Sequence, residues 1–381
     1  MFKDSIYEMK RVIITVVIAV AFVAQAAAQV NYSVSGTVPD SLNGRKVYLY
    51  EEEIKNHLVD STIVRKGRFH FKGSRKDPVA ARLYIGRMPN RQEFAFVLDE
   101  VPVKLSSLGG KIKVEGSRRT AAMVEREHLY MERQTNSKVY KLKNQKNDSP
   151  FGMLAAIAAL SKEEQAERQR VLAYNDSVYN VYCTKLKALM LDNVDNVVGA
   201  HCFSYLYDQI DIDEQDRILA SASQEFLNTP MVVRKIASRH QDVGHTYSDF
   251  ELPDIDGKTH RLSDIVGEGK YVLVDVWASW CLGCRIETPH VKEAYAKYHD
   301  KGFEVVMVSI DATREPWLKA MEKDGVKDMG YQLFDKNSVI RKIYGIGSIP
   351  CSMLINPQGK IIANDLRNND LEDHLSKLIG E

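Results

Sequence analysis

Apolar positions along the chain fall into three successive patterns. Between residues 30 and about 116 they form short, loosely alternating runs: Val34-Ser35-Gly36-Thr37-Val38, Lys46-Val47-Tyr48-Leu49-Tyr50, Arg68-Phe69-His70-Phe71 and Gln92-Glu93-Phe94-Ala95-Phe96-Val97-Leu98. β-Branched and aromatic residues fill these runs, and turn signals such as Pro39-Asp40 and Lys66-Gly67 separate them. That pattern predicts several short strands in a small antiparallel sandwich or barrel.

From about 118 to 242 glycine almost vanishes and the spacing becomes helical. Ser161-Lys162-Glu163-Glu164 reads as a capping box opening one helix. Val171, Tyr174, Val178, Tyr182, Leu186 and Met190 then recur at i, i+3/i+4 as one stripe. A further helix is expected from Asp213 to about Leu227, stopping before Pro230. This segment reads as a helical spacer without clustered chemistry.

Beyond about 245 strands and helices alternate. Tyr271–Val276 and Phe303–Ile310 are apolar along their length, as central strands buried on both faces are. Helices are expected near 285–300, 314–323, 336–344 and 370–380. Strands near 352–355 and 360–363 are joined by the turn Asn356-Pro357-Gln358-Gly359. The result is an α/β domain over residues 245–381, behind a small antiparallel β domain (30–116) and a helical segment (118–242). No internal repeat is visible.

The N-terminus changes the picture. Lys10 and Arg11 precede an apolar run from Val12 to about Ala24, and Ala24-Gln25-Ala26-Ala27-Ala28 supplies small residues at its end. This is a secretory signal over residues 1–28, with Met9 as an alternative start. An uncleaved anchor is the competing reading, but a bilayer calls for roughly 20 apolar residues. No cysteine near the cleavage region points to lipidation. The expected location is therefore exported, in the periplasm.

A length of 381 residues implies two or three domains, and a formal net charge of +1 argues against nucleic acid or an anionic membrane surface as partner. Loss of residues 1–28 removes three basic and two acidic residues and leaves 49 of each. Export places five cysteines, at 183, 202, 281, 284 and 351, where disulfides persist. An odd count leaves at least one thiol free or paired to another molecule.

The chemistry concentrates in Trp277-Ala278-Ser279-Trp280-Cys281-Leu282-Gly283-Cys284-Arg285, which follows a buried strand and opens a helix. Unpaired N–H groups and the positive end of the dipole at a helix start stabilise a thiolate and lower its pKa from about 8.5. A spacing of two residues lets the second thiol attack a mixed disulfide formed by the first. Cys281 is thus expected to be the exposed nucleophile and Cys284 the resolving thiol. A zinc site would need more ligands than one such pair, and a purely structural bridge closing so short a loop would yield little stabilisation. No metal or cofactor is expected.

Val272 to Pro289 closely resembles thioredoxin-fold proteins, and the chain from Phe250 onward resembles the exported TlpA/ResA-like thiol-disulfide oxidoreductases. The resemblance covers residues 247–381. It is carried by Phe250-Glu251-Leu252-Pro253-Asp254-Ile255-Asp256-Gly257-Lys258 with Leu262-Ser263-Asp264, by Trp280, Cys281, Cys284, Glu287 and Pro289, and by Gly345-Ile346-Gly347-Ser348-Ile349-Pro350. It implies a thioredoxin-like fold and a cis Pro350 packed against the cysteine pair. It leaves Ile349 free to pair with a substrate strand, and implies substrate contact at Trp280 as well. Asp275 matches the buried acid of thioredoxins and Glu287 the acid of the exported branch, each a proton-transfer group or an ordinary polar residue. Pro289 reads as a kink. By the same resemblance the substrates are disulfide-containing envelope proteins, the electron source is a membrane thiol donor, and apocytochrome c maturation is one task. Leu282-Gly283 stands where the family usually has proline before the second cysteine, which leaves reduction and oxidation both open.

The remaining cysteines carry blander readings. Cys351 follows Pro350 and is a third redox thiol or, more simply, a small buried strand residue. Cys183 and Cys202 lie on neighbouring expected helices as a disulfide or as core thiols, and His201 is a helix-packing residue. The N-terminal β-segment, notably Asp60 to Phe71, looks like a domain of unknown function found ahead of exported thioredoxin domains; a docking or homodimerising role is expected of it. Two rivals remain: a binding protein whose first two segments do the work, and a thiol peroxidase. The latter would need a lone cysteine after Pro-x-x-x-Thr-x-x, which the residues before Cys281 do not supply.

Overall fold

The computed structural model describes residues 29–52, 57–89, 91–108, 111–139 and 156–380. The signal-sequence reading of residues 1–28 falls outside these described residues. The chain divides into two compact units, Met1–Val232 and Val233–Glu381. The helical segment as far as Val232 thus shares a unit with the β-segment.

In the first unit, β1 (Val30–Thr37), β4 (Arg68–Arg75), β7 (Val103–Leu108) and β8 (Lys111–Glu115) form a sheet of order β4-β1-β7-β8. A second sheet, of order β3-β2-β5-β6, contains β2 (Lys46–Glu51), β3 (His57–Ile63), β5 (Val79–Ile85) and β6 (Gln92–Leu98). Val34, Phe69, Phe71 and Leu105 from one sheet and Val47, Leu49, Leu83 and Phe96 from the other close a single core. The antiparallel expectation needs one correction, because β1 and β7 run parallel. Parallel neighbours require a long crossover, and the chain from β2 to β6, which builds the opposite sheet and adds β4 beside β1, provides it.

The helices are α1 (Arg118–Asn136), α2 (Lys162–Leu191), α3 (Val197–Leu206), α4 (Ile212–Ser221), α5 (Gln224–Leu227) and α6 (Pro230–Ser238). Ser161 forms the capping box of α2: its Oγ accepts from Glu164 N–H at 3.2 Å while its own N–H donates to Glu164 Oε2 at 3.0 Å. Of the expected stripe, only Tyr182, Leu186 and Met190 are buried. The helix expected over 213–227 is two helices. The chain turns extended at Ala222 and Ser223, and Ser223 Oγ recaps the second helix by accepting from Phe226 N–H at 3.2 Å. His201 is buried on α3.

The second unit opens with a hairpin, β9 (Glu251–Pro253) and β10 (Thr259–Arg261). Its sheet has the order β13-β12-β11-β14-β15, from β11 (Tyr271–Trp277), β12 (Phe303–Ser309), β13 (Tyr331–Phe334), β14 (Cys351–Ile355) and β15 (Ile361–Asn364). The first three are parallel, whereas β14 and β15 run antiparallel to their neighbours. Alternation along β11 sends Leu273, Asp275 and Trp277 to one face and Val272, Val274 and Val276 to the other. The first face is covered by α7 (Leu282–Tyr298), α8 (Arg314–Asp324) and α10 (Asp370–Ile379). The second is covered by the segment around Leu262 and by α9 (Val339–Ile343). This is a thioredoxin-like fold.

Candidate active site

Strand β11 ends at Trp277, and four residues later Cys281 caps α7. The intervening loop is braced by a buried carboxylate. Asp311 accepts from Ser279 N–H at 2.9 Å, from Ser279 Oγ at 2.7 Å and from Ser309 Oγ at 2.8 Å. Cys281 has extended backbone angles, and its Sγ accepts from Cys284 N–H at 3.1 Å. The two sulfurs are bonded, with Cα atoms 5.3 Å apart, so the structure holds the oxidised state.

The expectation of an exposed Cys281 is corrected here. Cys281 is 6% exposed and Cys284 2%, because both sulfurs are turned into the helix mouth, whereas Trp280 is 66% and Leu282 75% exposed. Cys281 remains the outer of the two. Ile286, one turn further along α7, is also exposed, so apolar side chains surround the pair.

Pro350 follows a cis bond from Ile349, and both residues are half-buried. A Cβ built on Gly283 would lie 3.4 Å from Pro350 Cδ, which sets the proline ring against the Cys-Leu-Gly-Cys turn. Asp275 lies on the sheet face that the pair packs against. Burial pushes its carboxyl up to about 7, against the opposing pull of Arg367 and with a further upward push from Glu287. A cavity of about 20 Å³, room for roughly one water, is lined by Asp275, Glu287, His290, Pro350, Ser352 and Arg367 among others. Glu287 is half-buried and accepts from Asn368 N–H at 2.7 Å. Pro289 lies inside α7.

The structure thus brings Asp275, Glu287 and Pro350 together around one cavity beside the pair. It does not bring Cys351 there. Cys351 faces the other core, where it is buried, meets Gln241 Oε1 at 3.1 Å and has its thiol pushed up to about 12 by burial. Cys183 and Cys202 are both free, so no disulfide joins them; Cys202 is fully buried on α3 and its thiol is likewise pushed up to about 12. Sequence reasoning missed Asp311, Arg367 and Asn368. Only Asp311 left a trace, as an acid just past a buried strand. Among the described residues no group of three or more His, Cys, Asp or Glu is placed to hold a metal, and no helix is long and apolar enough to cross a membrane.

Both ends of the described chain are similar to known proteins. Residues 243–364 match the AhpC/TSA family and residues 32–123 match a domain of unknown function, DUF4369. The thiol-disulfide oxidoreductase ResA of Geobacillus thermodenitrificans is 32% identical over 139 residues, which span 36% of this chain and 78% of that protein. ResA of Oceanobacillus iheyensis is 31% identical over 179 residues, 43% of this chain and 91% of that protein. A thioredoxin domain of a Bacteroides vulgatus thiol-disulfide oxidoreductase is 35% identical, covering 36% of this chain and 98% of that one, with a TM-score of 0.34. The chain is a thiol-disulfide oxidoreductase and belongs to the ResA-like family, with an AhpC/TSA-type thioredoxin-fold domain behind an N-terminal domain of unknown function.

Proposed function

We propose that this protein is an exported disulfide reductase of the bacterial envelope, with Cys281 as nucleophile and Cys284 as resolving thiol. The observation that carries the reading is a Cys281–Cys284 bond at a helix mouth, with Pro350 against the turn between the cysteines and a buried carboxyl, pushed up to about 7, lining a cavity with that proline. In the reduced protein the Cys281 thiolate attacks one sulfur of a substrate disulfide, and the other leaves as a thiolate. Cys284 then gives its proton to Asp275 and attacks Cys281 Sγ. The intramolecular bond forms, the mixed disulfide breaks, and the second substrate thiolate departs. Two electrons have passed from the pair to the substrate. A pKa near the working pH suits Asp275 to take that proton and return it. Glu287 and the cavity between them give the proton a route toward solvent.

Trp280, Leu282 and Ile286 offer an apolar rim, and the Ile349 backbone offers an edge on which an extended substrate segment can pair. Proteins of the envelope with reducible disulfides are the substrate class, apocytochrome c among them. A membrane-embedded thiol donor restores the dithiol by the same exchange in reverse. The N-terminal unit serves docking or self-association.

Insulin reduction by the chain from Gln29 onward, with dithiothreitol as donor, tests the reading. Wild type is expected to turn over, Cys281→Ser to be inactive, and Cys284→Ser to stall as a mixed disulfide. Equal rates in wild type and Cys281→Ser would overturn the reductase and favour a binding role. The reduction potential of the pair settles the direction of flow, and alkaline phosphatase fused behind residues 1–28 reports export.

A further inference from the structure

The link between β15 and α10 has no part in the reaction just described, yet four hydrogen bonds tie it to the centre. Asp365 N–H donates to Ser352 O at 2.9 Å, and Leu366 N–H donates to Ser352 Oγ at 2.9 Å. Arg367 Nη2 donates to Pro350 O at 2.7 Å, and Asn368 N–H donates to Glu287 Oε2 at 2.7 Å. The link therefore joins the strand that begins after the cis proline to the helix that carries the cysteines. Asp365 and Asn368 hold φ of +48° and +52°, a left-handed conformation unfavourable to residues that carry a Cβ. Such strain persists where surrounding bonds hold it, and here those bonds run to the redox centre.

Arg367 is the basic residue of the link. Its Nη1 donates to Leu366 O at 2.8 Å, which fixes the guanidinium plane while Nη2 reaches the Pro350 carbonyl and lies 3.5 Å from Asp365 Oδ1. Glu287 and His290 on α7 and Arg367 on the link line the cavity with Asp275, and Cys351 on β14, facing the opposite core, feels the charges of Asp275, Asp365 and Arg367 from behind. Arg367 is the fixed cation among them, and its field opposes the burial and the Glu287 charge that keep Asp275 protonated.

We infer that Arg367 is a positioning residue of the redox centre, fixing the Pro350 carbonyl and supplying the positive charge against which buried Asp275 gives up its proton. The inference rests on the proton-acceptor role proposed for Asp275. In the resolving step Cys284 S–H passes its proton to the Asp275 carboxylate, the Cys284–Cys281 bond forms, and the Cys281–substrate bond breaks. Without Arg367 the carboxylate is scarcer at neutral pH, and this step slows while the first attack does not.

The test is single turnover of the reduced chain from Gln29 onward with 5,5′-dithiobis(2-nitrobenzoate), which releases one chromophore on attack and a second on resolution. Arg367→Met is expected to raise the pH midpoint of the second release by about one unit. The same change slows that release about fivefold at pH 7, from half ionised to about a tenth. The first release should stay unchanged. Arg367→Lys should restore most of the shift, and Arg367→Met should add no shift in an Asp275→Asn background. An unmoved midpoint, an equal shift in the Asp275→Asn background, or failure of lysine to rescue would each overturn the inference while leaving the reductase intact. A wild type with no Cys284-dependent second release would overturn the reductase reading and this inference together. If Arg367→Met does not fold, Arg367→Gln takes its place as the neutral variant.

Discussion

Asp275 sits where a carboxylate is costly, and the cost has a definite pH signature. Its ordinary pKa is 3.8 and burial chiefly raises it to about 7 in the folded protein, with Arg367 opposing and Glu287 adding. A raised acid means that the folded state binds more protons than the unfolded state between those two values. Stability therefore falls as pH climbs from about 4 to about 7, and the penalty is constant above. Asp275→Asn removes the charge and should stabilise the oxidised protein by about 1–2 kcal/mol at pH 5, growing to at most about 4 kcal/mol at pH 8. Urea unfolding followed by tryptophan fluorescence reads this cleanly, since Trp277, Trp280 and Trp317 all lie in the second unit. A variant whose gain does not grow with pH would show that the carboxyl is ionised at no cost. The same substitution should slow resolution, so stability and activity move in opposite directions at one residue, as expected where a strained group is kept for chemistry.

Glycines distinguish the loops that carry the site from the helix that starts it. Gly345 opens the run to the cis proline at φ +61°, and a Cβ there would fall 2.2 Å from Arg234 O and 2.4 Å from Ser238 N, both backbone atoms that cannot turn aside. Gly345→Ala should cost more than about 2 kcal/mol. Gly283, in the first turn of α7, shows no left-handed angle, and its added Cβ would make an ordinary 3.4 Å contact with Pro350. Gly283→Ala should be neutral or stabilising by up to about 1 kcal/mol. Urea midpoints of the two variants decide the matter; equal stability would sink the steric reading of the loop. The elements most legible in the sequence were those whose signal is local. Tyr271–Trp277 and Phe303–Ser309 are apolar along their length, Ser161 and Glu164 cap a helix by themselves, and Cys281 and Cys284 lie within one turn. Elements written by distant partners were not legible. Strand β13 is only four residues with a buried Gln332, the β1–β7 pair joins segments some 70 residues apart, and the break at Ala222 has no glycine or proline to mark it. Asn368 joins the site through its backbone N–H on Glu287, 81 residues away, and Arg367 through its guanidinium on the Pro350 carbonyl, and no local pattern announces either contact.

Across the whole chain, the five cysteines separate into one exchanging pair, two thiols that burial keeps from exchanging and one half-buried thiol. Free thiols risk wrong pairing wherever the compartment is oxidising. Here Cys202 and Cys351 are buried, and burial raises both thiols to about 12, so almost no thiolate exists at pH 7. They lie in different units, and Cys351 faces the core opposite the redox pair. Cys183 is half-buried, with its sulfur 3.9 Å from Gln209 Oε1, and is the one free thiol within reach of solvent. Thiol titration with 5,5′-dithiobis(2-nitrobenzoate) should therefore find about one reactive group in the native oxidised chain. Denaturant should expose three, and prior reduction should raise the denatured total to five. Cys183→Ser should bring the native value to near zero without altering insulin reduction. A native value of three would mean that the buried thiols are open to exchange, and the protein would then have no structural means of confining its chemistry to Cys281 and Cys284.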